Sequence, residues 1–281
     1  AWMQTTNPTA GETHIVMGTL DQTGASSGTK QFFIDGVSQS DPADFAYAIK
    51  ADVSADIYIG SSTGSSVFWG GEMNEVLIFN TQLSDDEIAR VNYYLSKKWG
   101  VTAVVDSDGD GYTDDEEVNL YLTSPIDAAD NPSVDFSDTV DAQIGESSGL
   151  DSIEGNLALW LDGSNIDGVY NATLSNGDSI MSWTDLSGSM NHAIQNTDSQ
   201  KPTFAVEDGS SLVYFDASSS HHLLSSLNID STVMDKITVI AVFSIETTDA
   251  GGLWGQDDGG WDRFFIYNYN GLSGLSNGSG V

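Results

Sequence analysis

The sequence predicts an all-β protein built from jelly-roll sandwich halves, with one short helix and an acidic linker that carries an ion-binding loop. Three observations lead there. Short runs rich in β-branched and aromatic residues recur between Gly, Ser, Asn and Asp turns. One segment only has strong helical periodicity, and a stretch dominated by Asp, Ser and Gly separates two β-patterned regions. Hydrophobic residues at 39% and aromatics at 10% suffice for a packed core, which argues against global disorder.

In residues 1–100 the strand candidates are 13–20, 30–35, 56–60 and 75–80. The Asp35-Gly36 pair directly after a strand signals a hairpin. Residues 84–98 form the clearest helix. Ser84 and Glu87 are spaced as a capping box, Asp85 and Asp86 meet the positive end of the helix dipole, and Lys97 and Lys98 meet the negative end. Ile88, Val91 and Leu95 share one face, so the helix packs on a sheet. Residues 101–155 read as the acidic linker. In residues 156–281 the β pattern returns at 157–161, 179–183, 212–215, 222–227, 236–245 and 263–267. Each region looks like half a sandwich: 1–100 ends with a helix as a domain closes, while 156–281 opens one without closing it. A half sandwich leaves a hydrophobic sheet face uncovered, so residues 156–281 require a covering half of the 1–100 kind.

The charge is extreme, with 8 Lys+Arg against 42 Asp+Glu and a formal net charge of −34. So few basic groups cannot neutralise a phosphate backbone, which removes nucleic acid as a partner and disfavours an anionic membrane surface. The longest apolar run, 237–245, falls far short of the roughly 18 residues of a membrane span. With 0 cysteines, disulfide scaffolds, thiolate metal sites and cysteine catalysis drop out together.

The strongest local motif is Asp106-Ser-Asp108-Gly-Asp110-Gly111-Tyr112-Thr-Asp114-Asp-Glu-Glu117, which fits D-x-D-x-D-G-x5-E. A Ca2+ ion takes six to eight oxygens in flexible geometry. Here Asp106, Asp108 and Asp110, the Tyr112 carbonyl, Asp114 (directly or through water) and a bidentate Glu117 would supply them, with Gly111 permitting the sharp turn. A helix is expected only on the exit side, about 115–122; the entry, 101–105, is not helical. Bound Ca2+ would neutralise several carboxylates and stiffen the connector.

Catalytic signals are weak. No strand carries carboxylates in the alternating arrangement of a glycosidase pair, and Asp44, Glu75 and Glu246 are isolated, which predicts surface positions. His221 and His222 are adjacent, so in a strand they face opposite ways. No nucleophile elbow, P-loop or dinucleotide fingerprint occurs, and the expectation is a protein without catalytic residues. The segment Trp254-Gly-Gln-Asp257-Asp258-Gly-Gly-Trp261-Asp262 reads as a loop in which Trp254, Asp257, Asp258, Trp261 and Asp262 could stack and hydrogen-bond a sugar. The alternative is that both tryptophans belong to the core. Glycosylation sequons occur at Asn171-Ala-Thr173 and Asn277-Gly-Ser279.

Several stretches resemble a known family in combination. Leu157-Ala-Leu-Trp-Leu-Asp162, Ile180-Met-Ser-Trp-Thr-Asp-Leu-Ser-Gly-Ser-Met-Asn-His-Ala193 and Leu212-Val-Tyr-Phe-Asp216 resemble the opening of a laminin-G-like domain of the concanavalin A-like lectin/glucanase superfamily. Residues 31–36, Phe68-Trp-Gly-Gly-Glu-Met-Asn-Glu-Val-Leu-Ile-Phe-Asn80 and the helix to Trp99-Gly100 resemble its close. The halves stand in reversed order. That order fits one period of a tandem repeat, subunits completing each other head to tail, or a circularly permuted single domain. The ion loop resembles a thrombospondin type 3 or dockerin-like calcium loop more than a paired EF-hand. Together these resemblances imply a non-enzymatic, extracellular or cell-surface repeat module of an adhesin or filament. Its cofactor would be Ca2+ and its partner another copy of itself. The alternative they imply is a calcium-dependent, lectin-like protein that binds glycans.

Overall fold

The computed structural model describes residues 2–6, 8–24, 27–39, 43–45, 57–62, 64–65, 67–102, 104–121, 123–129, 153–229, 234–246, 251–256, 264–269 and 272–277. The first region supplies β1 (Trp2–Thr6), β2 (Thr13–Gly24), β3 (Ser27–Ile34), β4 (Val37–Ser38), β5 (Ala43–Phe45), β6 (Ile57–Ile59), β7 (Gly71–Phe79) and helix α1 (Asp85–Trp99). The ion-loop region supplies one helical turn, α2 (Asp114–Glu116), which runs into a π-turn over Glu117–Tyr121. From the last region come β8 (Leu157–Asp162), β9 (Ser182–Trp183), β10 (Ala193–Ile194), β11 (Thr203–Glu207), β12 (Ser210–Phe215) and β13 (Leu223–Ser225). It continues with β14 (Lys236–Ile245), β15 (Gly251–Gln256), β16 (Phe264–Tyr269) and β17 (Leu272–Asn277).

These strands form two antiparallel sheets, the jelly-roll sandwich that the sequence predicts. One sheet runs β1-β17-β16-β15-β6-β13-β10-β9, and the other β11-β12-β7-β14-β2-β3-β4, with β5 on β3 and β8 on β7. The two regions interleave. β14 lies between β2 and β7, and β7 has β14 on one side and β12 followed by β8 on the other. β6 lies between β13 and β15, and β1 pairs with β17. The covering half that residues 156–281 require is supplied by residues 1–100 of the same chain.

Burial explains why β7 and β14 read as nearly continuous apolar runs rather than alternating ones. Both strands are covered on both faces. Val76, Ile78, Val239, Ala241 and Phe243 face the inter-sheet core, together with Trp69, Trp183 and Trp254. Leu77, Phe79, Ile240 and Val242 face outward into a second core, closed by Ile88, Val91 and Leu95 of α1. Helix α1 has the capping box foreseen: Ser84 Oγ accepts the Glu87 N–H, and Glu87 Oε2 accepts the Ser84 N–H at 2.8 Å. Gly100 ends it in the left-handed region, φ 73°. The Asp35-Gly36 hairpin turn has positive φ at both residues, 50° and 84°, as a type I′ turn requires.

Two readings need correction. Residues 254–256, read as the start of a loop, are the end of β15, whose glycines allow close packing. Gly251 has φ +91°, and a Cβ there would stand 2.0 Å from the Phe68 carbonyl oxygen. Glu75, read as a surface carboxylate, is 1% exposed. It shares the outward face of β7 with Leu77 and Phe79, and α1 covers that face.

Candidate metal centre

The chain leaving α1 does not lead away from the sandwich. Val101 and Val105 are buried in the second core beside Ile88 and Leu95. The Asp106 N–H donates to the Asp35 carbonyl at 3.2 Å. Ser107 sits so close to Gly36 that a Cβ there would meet its Oγ at 2.9 Å. On the far side, Lys97 pairs with Asp115 at 2.5 Å, and Asn119 Nδ2 donates to the Tyr93 hydroxyl at 3.3 Å. The ion loop is thus fastened at both ends, to the β3–β4 turn and to α1.

Within the loop the Asp side chains turn inward because they fix local backbone, Asp106 through both of its oxygens and Asp108 and Asp110 through one each. Asp106 accepts the Gly109 and Gly111 N–H groups at 2.8 and 3.1 Å. Asp108 Oδ1 accepts the Asp110 N–H at 3.2 Å, and Asp110 Oδ1 accepts the Tyr112 N–H at 2.9 Å. Ligand oxygens of Asp106, Asp108 and Asp110 come within 4.8 Å of one another, so the cluster could hold a metal ion. The remaining oxygens are the informative ones. Asp108 Oδ2, Asp110 Oδ2 and Glu117 Oε2 are buried and have no hydrogen-bond donor among the described residues. A buried carboxylate oxygen without a partner is costly, and several beside one another more so. Burial pushes the Asp108 carboxyl up to about 6 and that of Glu117 to about 9, and mutual repulsion with Asp110 adds to both. A bound cation removes both penalties at once, so the residues present fit one.

Asp114 plays a more structural part than its position in the motif suggests. It is fully buried, and its two oxygens accept the Ser107 N–H and Oγ–H, each at 2.8 Å. It therefore braces the opening turn, and burial pushes its carboxyl up to about 7. Thr113 caps α2 through a box with Glu116, whose Oε2 accepts the Thr113 N–H at 3.0 Å. Glu117 is fully buried, and its Oε1 accepts the Thr123 hydroxyl at 3.3 Å. Tyr112 follows Gly111 (φ +99°) in the turn. The exit segment begins as α2 and widens to a π-turn, where a continuous helix was expected; the Thr123 N–H closes it onto the Glu117 carbonyl at 3.0 Å.

The proposed sugar loop fares differently. Trp254 lies in β15 and is 1% exposed, so its ring cannot stack on a ligand from solvent. Asp257, Asp258, Trp261 and Asp262 lie outside the described residues. The Asn171 sequon amide is spent on its own loop: its Oδ1 accepts the Ile166 N–H at 2.6 Å, and its Nδ2 donates to the Gly163 carbonyl at 2.8 Å. His221 and His222 make separate bonds, His221 Nδ1 accepting the Asp216 N–H and His222 Nε2 contacting Gln195.

Sequence reasoning missed two features. One is a cavity of about 400 Å³ between the ion loop, α1 and β3–β4, bordered by Phe33, Val37, Ile88, Gln31, Asp85 and Asp108. The other is a buried cluster centred on Glu75, Lys98 and Asp162. Glu75 Oε2 accepts Lys98 Nζ at 2.9 Å and Trp99 Nε1 at 2.7 Å, and its Oε1 accepts Trp160 Nε1 at 2.7 Å. Asp162, opposite Glu75 in the β7–β8 register, accepts Lys98 at 2.8 Å. The outward parity of Glu75 with Leu77 and Phe79 was the available signal.

Residues 1–89 match the family model described as the concanavalin A-like lectin/glucanases superfamily. Neither a curated protein nor a solved structure matches the chain. Among the described residues, no helix is long and apolar enough to cross a membrane.

Proposed function

We propose that the protein is a non-enzymatic, calcium-binding adhesive module of an extracellular or cell-surface assembly. One observation carries the calcium reading: three buried carboxylate oxygens, on Asp108, Asp110 and Glu117, have no donor among the described residues and belong to a loop of ion-binding spacing. Asp106, Asp108, Asp110 and Glu117 would hold the ion with the Tyr112 carbonyl, while Asp114 braces the loop through Ser107. When bound, Ca2+ supplies positive charge and fixed coordination, with no chemical step. Because the loop is fastened to α1 and the β3–β4 turn, the ion would stabilise the outer face of the sandwich as well as the connector. The superfamily match over residues 1–89 supports a lectin-like or adhesive role. The partner in that assembly would be a second copy of the chain, whose residues 1–100 would take the place that the chain's own residues 1–100 hold beside β14.

A second reading, a lectin-like protein, is favoured by the cavity beside Asp108. Its volume lies within the range of small-ligand pockets, and apolar Phe33 and Ile88 face it alongside polar Gln31 and Asp85.

Calorimetric titration of Ca2+ into chelator-treated protein tests the first reading. Saturable heat at about one site is expected, and no heat would refute it. A melting shift with free sugars, present only with Ca2+, would favour the second.

A further inference from the structure

The Glu75–Lys98–Asp162 cluster has the composition and geometry of a reactive site rather than of an ordinary ion pair. The Lys98 ammonium contacts two carboxylates at once, Glu75 at 2.9 Å and Asp162 at 2.8 Å. Three aromatic rings enclose it, with centroids at 5.1 Å (Trp99), 5.5 Å (Tyr94) and 6.0 Å (Trp160). Glu75 is 1% exposed and Asp162 6%, so the two carboxylates are shielded from water, while the Lys98 side chain is half-buried at 19%. The two oxygens of Asp162 differ. Oδ2 faces Lys98, while Oδ1 accepts the Ser164 N–H at 2.8 Å and its hydroxyl at 2.7 Å.

We infer that Lys98 and Asp162 condense into an intramolecular amide bond, with Glu75 as the catalytic proton carrier. Glu75 takes a proton from the Lys98 ammonium and passes it to Asp162 Oδ2, giving a neutral amine beside a neutral acid. The Nζ lone pair attacks Cγ, and negative charge gathers on Oδ1, where the Ser164 N–H and hydroxyl stabilise it as an oxyanion hole does. Glu75 then carries a second proton from Nζ to the Oδ2 hydroxyl, which leaves as water. The Nζ–Cγ bond forms, the Cγ–Oδ2 bond breaks, and Glu75 returns to its starting state. Three ammonium hydrogens become one amide hydrogen and two in water. Neither an oxidant nor an activating co-reactant is needed.

Two physical factors favour the step. Lys98 and Asp162 are held in contact, which removes the entropic barrier to a condensation that fails between free partners in water. The Lys98–Asp162 pair becomes neutral, so the desolvation cost of a buried carboxylate and a half-buried ammonium disappears. Burial lowers the basicity of Lys98, but Glu75 and Asp162 more than restore it, so the amine stays protonated toward solvent. The inferred step does not depend on loss to solvent, because the proton moves within the hydrogen-bonded triad. The bond would tie the last turn of α1 to β8, joining the two regions of the sandwich across the ion loop. It rests on neither reading of the loop.

Intact-mass measurement of the purified full chain, followed by peptide mapping, tests the inference. The expected result is a chain lighter than its sequence by one water, with a peptide containing Lys98 covalently joined to one containing Asp162. Lys98→Arg and Glu75→Gln variants, shown by circular dichroism to be folded, should have the full sequence mass. A folded wild-type chain at full sequence mass would overturn the proposal. So would a lost water that maps elsewhere, such as to a succinimide at an Asp-Gly pair. Because the wild-type mass is decisive alone, a variant that fails to fold does not blunt the test.

Discussion

Glu117 and Asp108 carry buried oxygens without a donor among the described residues, and the calcium proposal predicts a measurement on each. Glu117→Gln keeps the size of the side chain but removes a charge from a fully buried position, and should weaken Ca2+ binding by more than about tenfold, or about 1.4 kcal/mol. Isothermal titration of the variant checks this; unchanged affinity would remove Glu117 from the ligand set. The same carboxylates set a pH dependence. The Asp108, Asp114 and Glu117 carboxyls stand at about 6, 7 and 9 in the calcium-free fold, above the ordinary 3.8 and 4.5. A group whose pKa is raised by folding contributes stability that is complete below its unfolded pKa and lost as pH rises through its folded pKa. Calcium-free protein should therefore lose stability steadily from about pH 4 toward pH 9, and Ca2+ should flatten the curve. Chemical denaturation across that range, with and without Ca2+, reads both slopes. At this scale the sequence was informative about the loop, because an ion-binding turn is a local pattern of residue types. It misplaced Glu75 at the surface, because that burial depends on a helix and a strand that lie elsewhere in the sequence.

The elements differ in how far local signals determine them. Helix α1 was legible almost to the residue, because Ser84, Glu87 and Gly100 are short-range terminal signals and Ile88, Val91 and Leu95 mark its face. Truncating Leu95, fully buried between α1 and the sheet, to Ala should cost about 2–5 kcal/mol, whereas Ser84→Ala should cost only about 1 kcal/mol. Urea unfolding of the two variants gives that ranking, and equal costs would mean that α1 is not packed as described. Strand β15 was not legible. Its glycines look like loop residues until Phe68 is seen against Gly251, an approach that no local pattern announces. Gly251→Ala should destabilise by more than about 1 kcal/mol, since it combines a positive φ with a backbone collision. A neutral effect in the same assay would place β15 elsewhere.

Over the whole molecule the sequence showed two halves in reversed order, but not which chain completes which. Periodicity reports which faces need covering, and any copy of residues 1–100 satisfies that need equally. In the structure β7 and β14 are mutual neighbours at the centre of one sheet, so neither region buries its apolar faces without the other. Residues 1–100 and 156–281 expressed separately should each lack cooperative melting and regain it when mixed; a fragment that melts cooperatively alone would contradict the interleaving. The loop is attached to this shared core through Asp35, Tyr93 and Lys97, so the calcium ion we propose there would stabilise the entire sandwich. The most direct test is the thermal unfolding of the full chain in chelator and at increasing Ca2+. The prediction is one transition that moves up by several degrees, since a ligand at a hundredfold excess over its Kd adds about 2.7 kcal/mol and each kcal/mol is worth about 2–4 °C at this size. A midpoint that ignores Ca2+, or a small calcium-sensitive transition separate from an unmoved main one, would contradict the account.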